Sequence, residues 1–349
     1  MNANRGGIAG FAVVAAALAV VAGAGCERLG IGASGTSSAG SASSAATAVA
    51  SAAGASTSAA SGAAVDNQPP KADPGRLKLR GKAVQGALLL ATVDPGTRKL
   101  KFPGHRAVVS PEGDFLIAFY RNAPAREVLT ITFPDGAVLE HEFEVEQRTY
   151  EDDVIDGLPQ SQVELDVKTK QLLAASNKRI AAIRNRYTKK PYYRDGFSWP
   201  VTGKISSRYG QQRILNGVKS GLHWGIDIAS PNGTPVKAPA GGKVVFADKN
   251  VPLSGNVLIL DHGHGLSSTF LHLSGFTVTV GKEVARGDVI GSVGMTGRAT
   301  GPHLDWRANF FKIRIDPELL VEQPAWKADG TSKPTADASP TKDGSGGSH

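Results

Sequence analysis

The chain has 349 residues, room for two domains and tails, and its apolar fraction of 41% is ordinary for a globular protein, which excludes disorder throughout. Lys and Arg (39) exceed Asp and Glu (31), a mildly basic balance that suits an anionic surface such as nucleic acid, membrane or cell wall without choosing among them. A single cysteine excludes a disulfide framework within the chain and a cysteine-based metal site.

Residues 1–25 read as an export signal: Arg5 precedes an apolar run from Ile8 to Val21, followed by small residues from Ala22 to Gly25. The run is short for a membrane span. Cys26, directly after it, resembles the lipidation site of a bacterial lipoprotein, although Gly23 stands where that pattern prefers Leu. The expectation is a lipid anchor at Cys26 that holds the exported chain in the cell envelope, on a membrane facing the periplasm. Residues 26–74 are mostly Ala, Ser, Gly and Thr with no periodic apolar face, the composition of a flexible tether.

Over 75–150, apolar runs such as "ALLLATV", "FLIAFY" and "VLTITF" alternate with the turn signals "DPGT", "SPEG" and "FPDG", which predicts a small β-sandwich-like domain. His105 and His141 are expected to be structural or on the surface. Residues 160–187 carry Leu172, Leu173, Ile180 and Ile183 at helical spacing among basic and polar residues, a connecting helix with one buried stripe and a solvated basic face. From 195 to 322 the chain is glycine-rich and strand-like, with "GGKVVFAD", "GNVLILDHG" and "FTVTVG" separated by turns, which predicts a mostly antiparallel β domain. The fold class is therefore mainly β. The tail, 327–349, is expected to be disordered.

Five of the eight histidines fall in this last domain: His223, His262, His264, His272 and His303. "HWGID" places His223 four residues before Asp227, and "HLD" places His303 and Asp305 two apart, on one side of a strand. Neutral imidazole and carboxylate are ordinary zinc ligands, and three protein ligands with an open fourth position make a catalytic site. His262 and His264 in "DHGHG" sit at a tight glycine turn and are expected to be structural or to support the site. Arg208, Tyr209, Arg213 and Asn216, just before His223, are candidates to line a substrate groove.

Three ordered stretches, "SSRYGQQRILNGVKSGLHWGIDIASPNGTPVKAPAGGKVVFA", "NVLILDHGHGLSSTFLHLSG" and "GDVIGSVGMTGRATGPHLDW", resemble the lysostaphin-type (LytM-like) zinc metallopeptidases, over about Trp199 to Leu320. The segment before them is similar to the β-rich domain that precedes the peptidase in some exported members. The resemblance implies a zinc endopeptidase hydrolysing peptide cross-links of peptidoglycan, with wall peptide stems as its partner and no nucleic acid. The family's HxxxD ligands fall on His223 and Asp227, and the histidine of its "HLS" segment falls on His272. Its HxH motif falls on His303 and Asp305, where the first histidine is the catalytic acid/base and the second the third zinc ligand. The resemblance thus makes His303 the proton carrier and His272 a donor to the oxyanion, and it puts Asp305 where a ligand histidine is usual.

Three readings of Asp305 follow. It binds zinc through a carboxylate oxygen; or the ligand is lost and the domain is a non-catalytic regulator that activates a cell-wall amidase; or "HLD" is a turn feature. Under the first, two carboxylates and one imidazole cancel the charge of the dication, so a less acidic bound water and a slower enzyme are expected. Asp305→His, which restores the usual donor, is then expected to be tolerated. A secreted protease acting on proteins is the remaining alternative.

Overall fold

The computed structural model describes residues 69–321; the export signal, Cys26, most of the tether and the C-terminal tail lie outside the described residues. The first part is built from two antiparallel three-stranded sheets. One joins Lys78–Arg80, Leu88–Thr92 and Asp114–Ala118; the other joins Lys99–Lys101, Arg126–Thr132 and Val138–Glu144. Leu89, Phe115, Ile117, Leu129, Ile131 and Phe143 share one core. "ALLLATV" is continuously apolar instead of alternating because its strand is buried on both faces. Leu89 and Ala91 belong to that core, while Leu88 and Leu90 pack with Phe310 and Ile315 of the last domain. His105 is structural: its ring stacks on Phe102 and its Nε2 lies 3.0 Å from Glu127 Oε2.

A short turn of helix, Gln160–Val163, leads into the helix Val167–Arg184. Asp166 caps the longer helix by accepting the Thr169 N–H at 2.8 Å. Its apolar stripe is only partly buried: Ile180 and Ile183 pack with Phe246, Ile259 and Leu271, but Leu172 stays 51% exposed. The expectation of a buried Leu172 is corrected accordingly, since the helix meets the sheet through its C-terminal half.

The last domain is built on an eight-stranded antiparallel sheet in the order Glu283–Val284, Gly242–Val251, Gly255–Gly263, Leu266–Leu273, His303–Phe310, Ile226–Ala229, Lys204–Ser207, with Ile313–Ile315 paired to His303–Phe310, and a smaller sheet joins Pro235–Lys237, Val289–Ser292 and Gly275–Phe276. Alternation sorts its faces. Leu304 and Trp306 join Ile226, Ile228, Leu258 and Phe270 in an apolar core, and His303, Asp305 and Arg307 therefore share the opposite face.

His262 and His264 are both structural. The His264 Nε2–H donates to the Lys189 carbonyl at 3.0 Å, which leaves Nδ1 to accept from the Tyr193 hydroxyl at 3.1 Å. The His262 Nδ1–H donates to the Gly241 carbonyl at 2.7 Å, and its Nε2 accepts from Ser268 Oγ at 2.8 Å, the same hydroxyl that accepts the Trp306 indole N–H at 3.2 Å. Burial lowers the His262 pKa from 6.5 to about 4. The unfolded chain takes up this proton first, so stability is expected to fall as pH drops from 6.5 towards 4, by about 3 kcal/mol in all. Urea unfolding followed across that range should show the loss, with a shallower pH slope in His262→Gln.

Candidate metal centre and catalytic cleft

Asp227 and Asp305 are register partners on adjacent antiparallel strands, so their carboxylates rise from the same face. Ser207, opposite Asp227 on the next strand, anchors the third group: its Oγ lies 2.8 Å from His223 Nδ1 and donates to Asp153 Oδ2 at 2.7 Å. With its hydroxyl proton on Asp153, Ser207 accepts from His223 Nδ1–H, which also lies 3.2 Å from the Arg208 carbonyl. The lone pair of a neutral His223 is thus on Nε2. That atom is 3.2 Å from Asp227 Oδ1 and 3.6 Å from Asp305 Oδ2. His223 Nε2 and Asp227 Oδ1 are buried and have no hydrogen-bond partner.

Lone pairs that converge without a donor call for a cation among them. Tetrahedral zinc with bonds near 2.1 Å sets its donors about 3.4 Å apart, and the two separations bracket that value. One donor atom from each of His223, Asp227 and Asp305 can be chosen with all three within 4.8 Å of one another. The residues present fit zinc. Burial opposes charge on His223, but the carboxylates of Asp227 and Asp305 outweigh it and raise the imidazole above its ordinary value. Burial likewise works against an ionised Asp227, yet His223 and Arg213 hold it below the usual carboxylate range.

Two arginines bear on the carboxylates. Arg213 Nη2 donates to Asp227 Oδ2 at 2.5 Å and its Nε to Asp153 Oδ2 at 3.2 Å. Arg307 grips Asp305 with both ends of its fork, Nε to Oδ1 at 2.8 Å and Nη2 to Oδ2 at 2.5 Å. Against the opposing effect of burial, Arg307 holds Asp305 well below the usual carboxylate range. Each carboxylate therefore carries a guanidinium of opposite charge. These two cations offset the negative charge that the two carboxylates bring to the site.

His272 and His303 complete the site, their ring centroids 4.8 Å apart. The strand Leu266–Leu273 bulges against Gly255–Gly263 just before His272, whose φ of +61° breaks the alternation of the strand. The His272 Nδ1–H donates to the Thr296 carbonyl at 2.7 Å, and the His303 Nδ1–H donates to the Gly301 carbonyl at 2.9 Å. Both neutral rings consequently carry their lone pair on Nε2. Burial lowers the His272 pKa to about 4 and keeps it neutral. His303 Nε2 lies 3.9 Å from Asp227 Oδ1.

Asp227, His272 and His303 line a cleft of about 330 Å³ whose far wall is the segment between the two β parts, Asp153 to Leu158. That segment is tied down on both sides. Asp152–Ile155 adds in parallel to Gln212–Leu215, the Asn216 side-chain amide bonds both backbone groups of Leu158, and Arg298 donates to the Gln162 carbonyl at 3.0 Å.

The five sequence-predicted site residues thus come together. Of the groove candidates, only Arg213 lines the cleft: Tyr209 is buried with its hydroxyl on the Arg314 carbonyl, Arg208 pairs with Glu318, and Asn216 clamps Leu158. Sequence reasoning missed Arg307 and Asp153. Arg307 had a signal, because it follows Asp305 by two residues on a strand and must share its face. Asp153 had none, being some 70 residues before the site in a segment without motif.

Residues 221–317, which include all five site residues, match the model for peptidase family M23. The chain carries an M23 peptidase domain. DD-carboxypeptidase/endopeptidase Mpg of Neisseria meningitidis is 43% identical to it over 119 residues, which are 34% of this chain and 27% of that protein. Peptidoglycan DD-endopeptidase ShyA of Vibrio cholerae is 41% identical over 111 residues, 31% of this chain and 26% of that protein. The chain thus spans about a quarter of the length of these curated relatives. A solved Pseudomonas aeruginosa structure described as an M23 peptidase aligns at a TM-score of 0.53 with 26% identity, covering 69% of this chain and 95% of that one. The likeness to that structure therefore extends beyond the M23 domain into the preceding β part.

Proposed function

We propose that this protein is an exported zinc endopeptidase that hydrolyses peptide cross-links in bacterial peptidoglycan, anchored by lipid on Cys26 and spaced from the membrane by its Ala/Ser/Gly tether. The observation that carries the reading is the pair of buried, partnerless donor atoms, His223 Nε2 and Asp227 Oδ1, facing each other and Asp305 beside two histidines with free Nε2 lone pairs. Relatives named DD-endopeptidases support the substrate class. The anchor is assigned to Cys26 because it directly follows the apolar run and small residues of the export-signal-like segment.

His223, Asp227 and Asp305 would hold the zinc, which when bound would make a water more acidic and polarise the scissile carbonyl. His303 takes the water proton at Nε2, since its other nitrogen is committed to Gly301, and returns it to the leaving amine. For His272 we infer a role other than the expected one. A donor to the oxyanion needs a proton on Nε2, but the Thr296 carbonyl keeps the proton of the neutral ring on Nδ1. His272 therefore acts first as an acceptor that orients the attacking water. The Asp153–Leu158 wall confines an extended peptide against these groups.

Protein purified without chelator should contain one zinc per chain and release soluble muropeptides from isolated wall. Absence of zinc, or an intact wall after incubation with zinc-loaded protein, overturns the reading. Intact-mass analysis should find acyl chains on Cys26; a mature N-terminus beyond it would overturn the anchor. The grip of Arg307 on both oxygens of Asp305 favours a second reading, a metal-free M23 domain that activates a wall amidase. Stimulation of an amidase by a chain that itself releases nothing would mark that outcome.

A further inference from the structure

We propose that Asp305 and Arg307 work as one ligand unit, with Arg307 the positioning residue that aims Oδ2 at His223 and cancels the carboxylate charge, so that the pair stands in for a neutral imidazole. The inference rests on the zinc reading above. A carboxylate at the third donor position differs from imidazole in two ways: it can turn, and it brings a negative charge. The bidentate fork, 2.8 Å at Oδ1 and 2.5 Å at Oδ2, removes both differences, because two parallel hydrogen bonds fix the carboxylate plane and the guanidinium charge is permanent. Asp305 is fully buried, so solvent does neither task.

The surrounding chain makes room for the pair. A Cβ on Gly225, in the middle of "HWGID", would lie 2.5 Å from both Arg307 Cγ and the Trp306 carbonyl oxygen, and 3.0 Å from Asp305 Oδ1. A side chain there would collide with Arg307 and the Trp306 backbone and crowd Asp305. Asp305 is the carboxylate that Arg307 binds through its fork; Asp227, on the same face, acts on it through charge and is held by Arg213. The register partner of Arg307, Thr269, accepts from Arg184, and the partner of the next same-face residue, Asn309, is Arg314. With Asp305 gone, Arg307 would lose the carboxylate that its fork binds and be left beside Arg184, Arg314 and a dication, with Asp227 already committed to Arg213.

The consequence reverses what the sequence suggests. Asp305→His restores the usual donor type but strands Arg307, so it should weaken zinc binding unless Arg307 is changed as well. Zinc affinity is measured by chelator competition in the full chain, independently of activity, for wild type, Asp305→His, Asp305→His/Arg307→Met and Arg307→Lys. Asp305→His is expected to bind about tenfold or more weaker than wild type, and the double variant to recover most of that loss. Arg307→Lys, which keeps the charge and loses the fork, is expected to fall about tenfold, and it reports even if a histidine at 305 fails to fold. Wild-type affinity in either Asp305→His alone or Arg307→Lys overturns the inference and leaves the zinc reading intact. A wild type that binds no zinc overturns both, and the pair is then an ion pair that has taken the place of the metal.

Discussion

Asp305→Ala is expected to lose zinc and wall hydrolysis together. It removes one of three donors, and two protein ligands rarely hold a catalytic zinc. It also leaves the Arg307 guanidinium without the carboxylate that both ends of its fork bind. Breaking a buried ion pair from one side costs about 3 kcal/mol or more. The two effects separate experimentally. Thermal unfolding in excess chelator reads the ion-pair cost alone, and equilibrium dialysis of the folded variant reads the ligand. A variant that keeps wild-type zinc content and wild-type muropeptide release would show that Asp305 is neither.

His303→Ala is expected to do the opposite: keep zinc and lose turnover. Its Nε2 lies 3.9 Å from Asp227 Oδ1 and its ring is fixed by a bond from Nδ1–H to the Gly301 carbonyl, so it stands beside the donors and outside their set. Removing a positioned proton carrier lowers the rate by about 10²–10⁴-fold. Metal analysis and muropeptide release on one sample check both halves, and loss of zinc along with the rate would move His303 into the ligand set. The contrast with Asp305→Ala matters because the two residues are neighbours on one strand face, and a general disturbance of that strand would make the variants behave alike.

Much of the fold was legible because the strands obey simple periodicities. The turn signals at "DPGT", "SPEG" and "FPDG" lie in loops flanking strands of the first part, and the "HLD" alternation places His303 and Asp305 on one face of their strand. What misled was burial that depends on a distant partner. Leu172 has the right spacing for a core helix, yet it is exposed where the helix has no sheet beneath it. Tyr209 sits beside the ligand motif in sequence and points into the body of the protein.

The sequence by itself determined the pairs His223/Asp227 and His303/Asp305, because metal chemistry limits which side chains bind and strand pleating limits where neighbours two apart point, and the family resemblance added His272. Only the tertiary structure decided how these groups are charged and aimed. The Asp227–Asp305 pairing, the Ser207 and Asp153 support of His223, and the tautomer of His272 each depend on a strand or carbonyl far away in sequence. The Arg307 fork lies between these cases: its side of the strand follows from the sequence, but its closure on Asp305 needed the space left by Gly225, and a close approach between strands leaves no periodic trace in a chain.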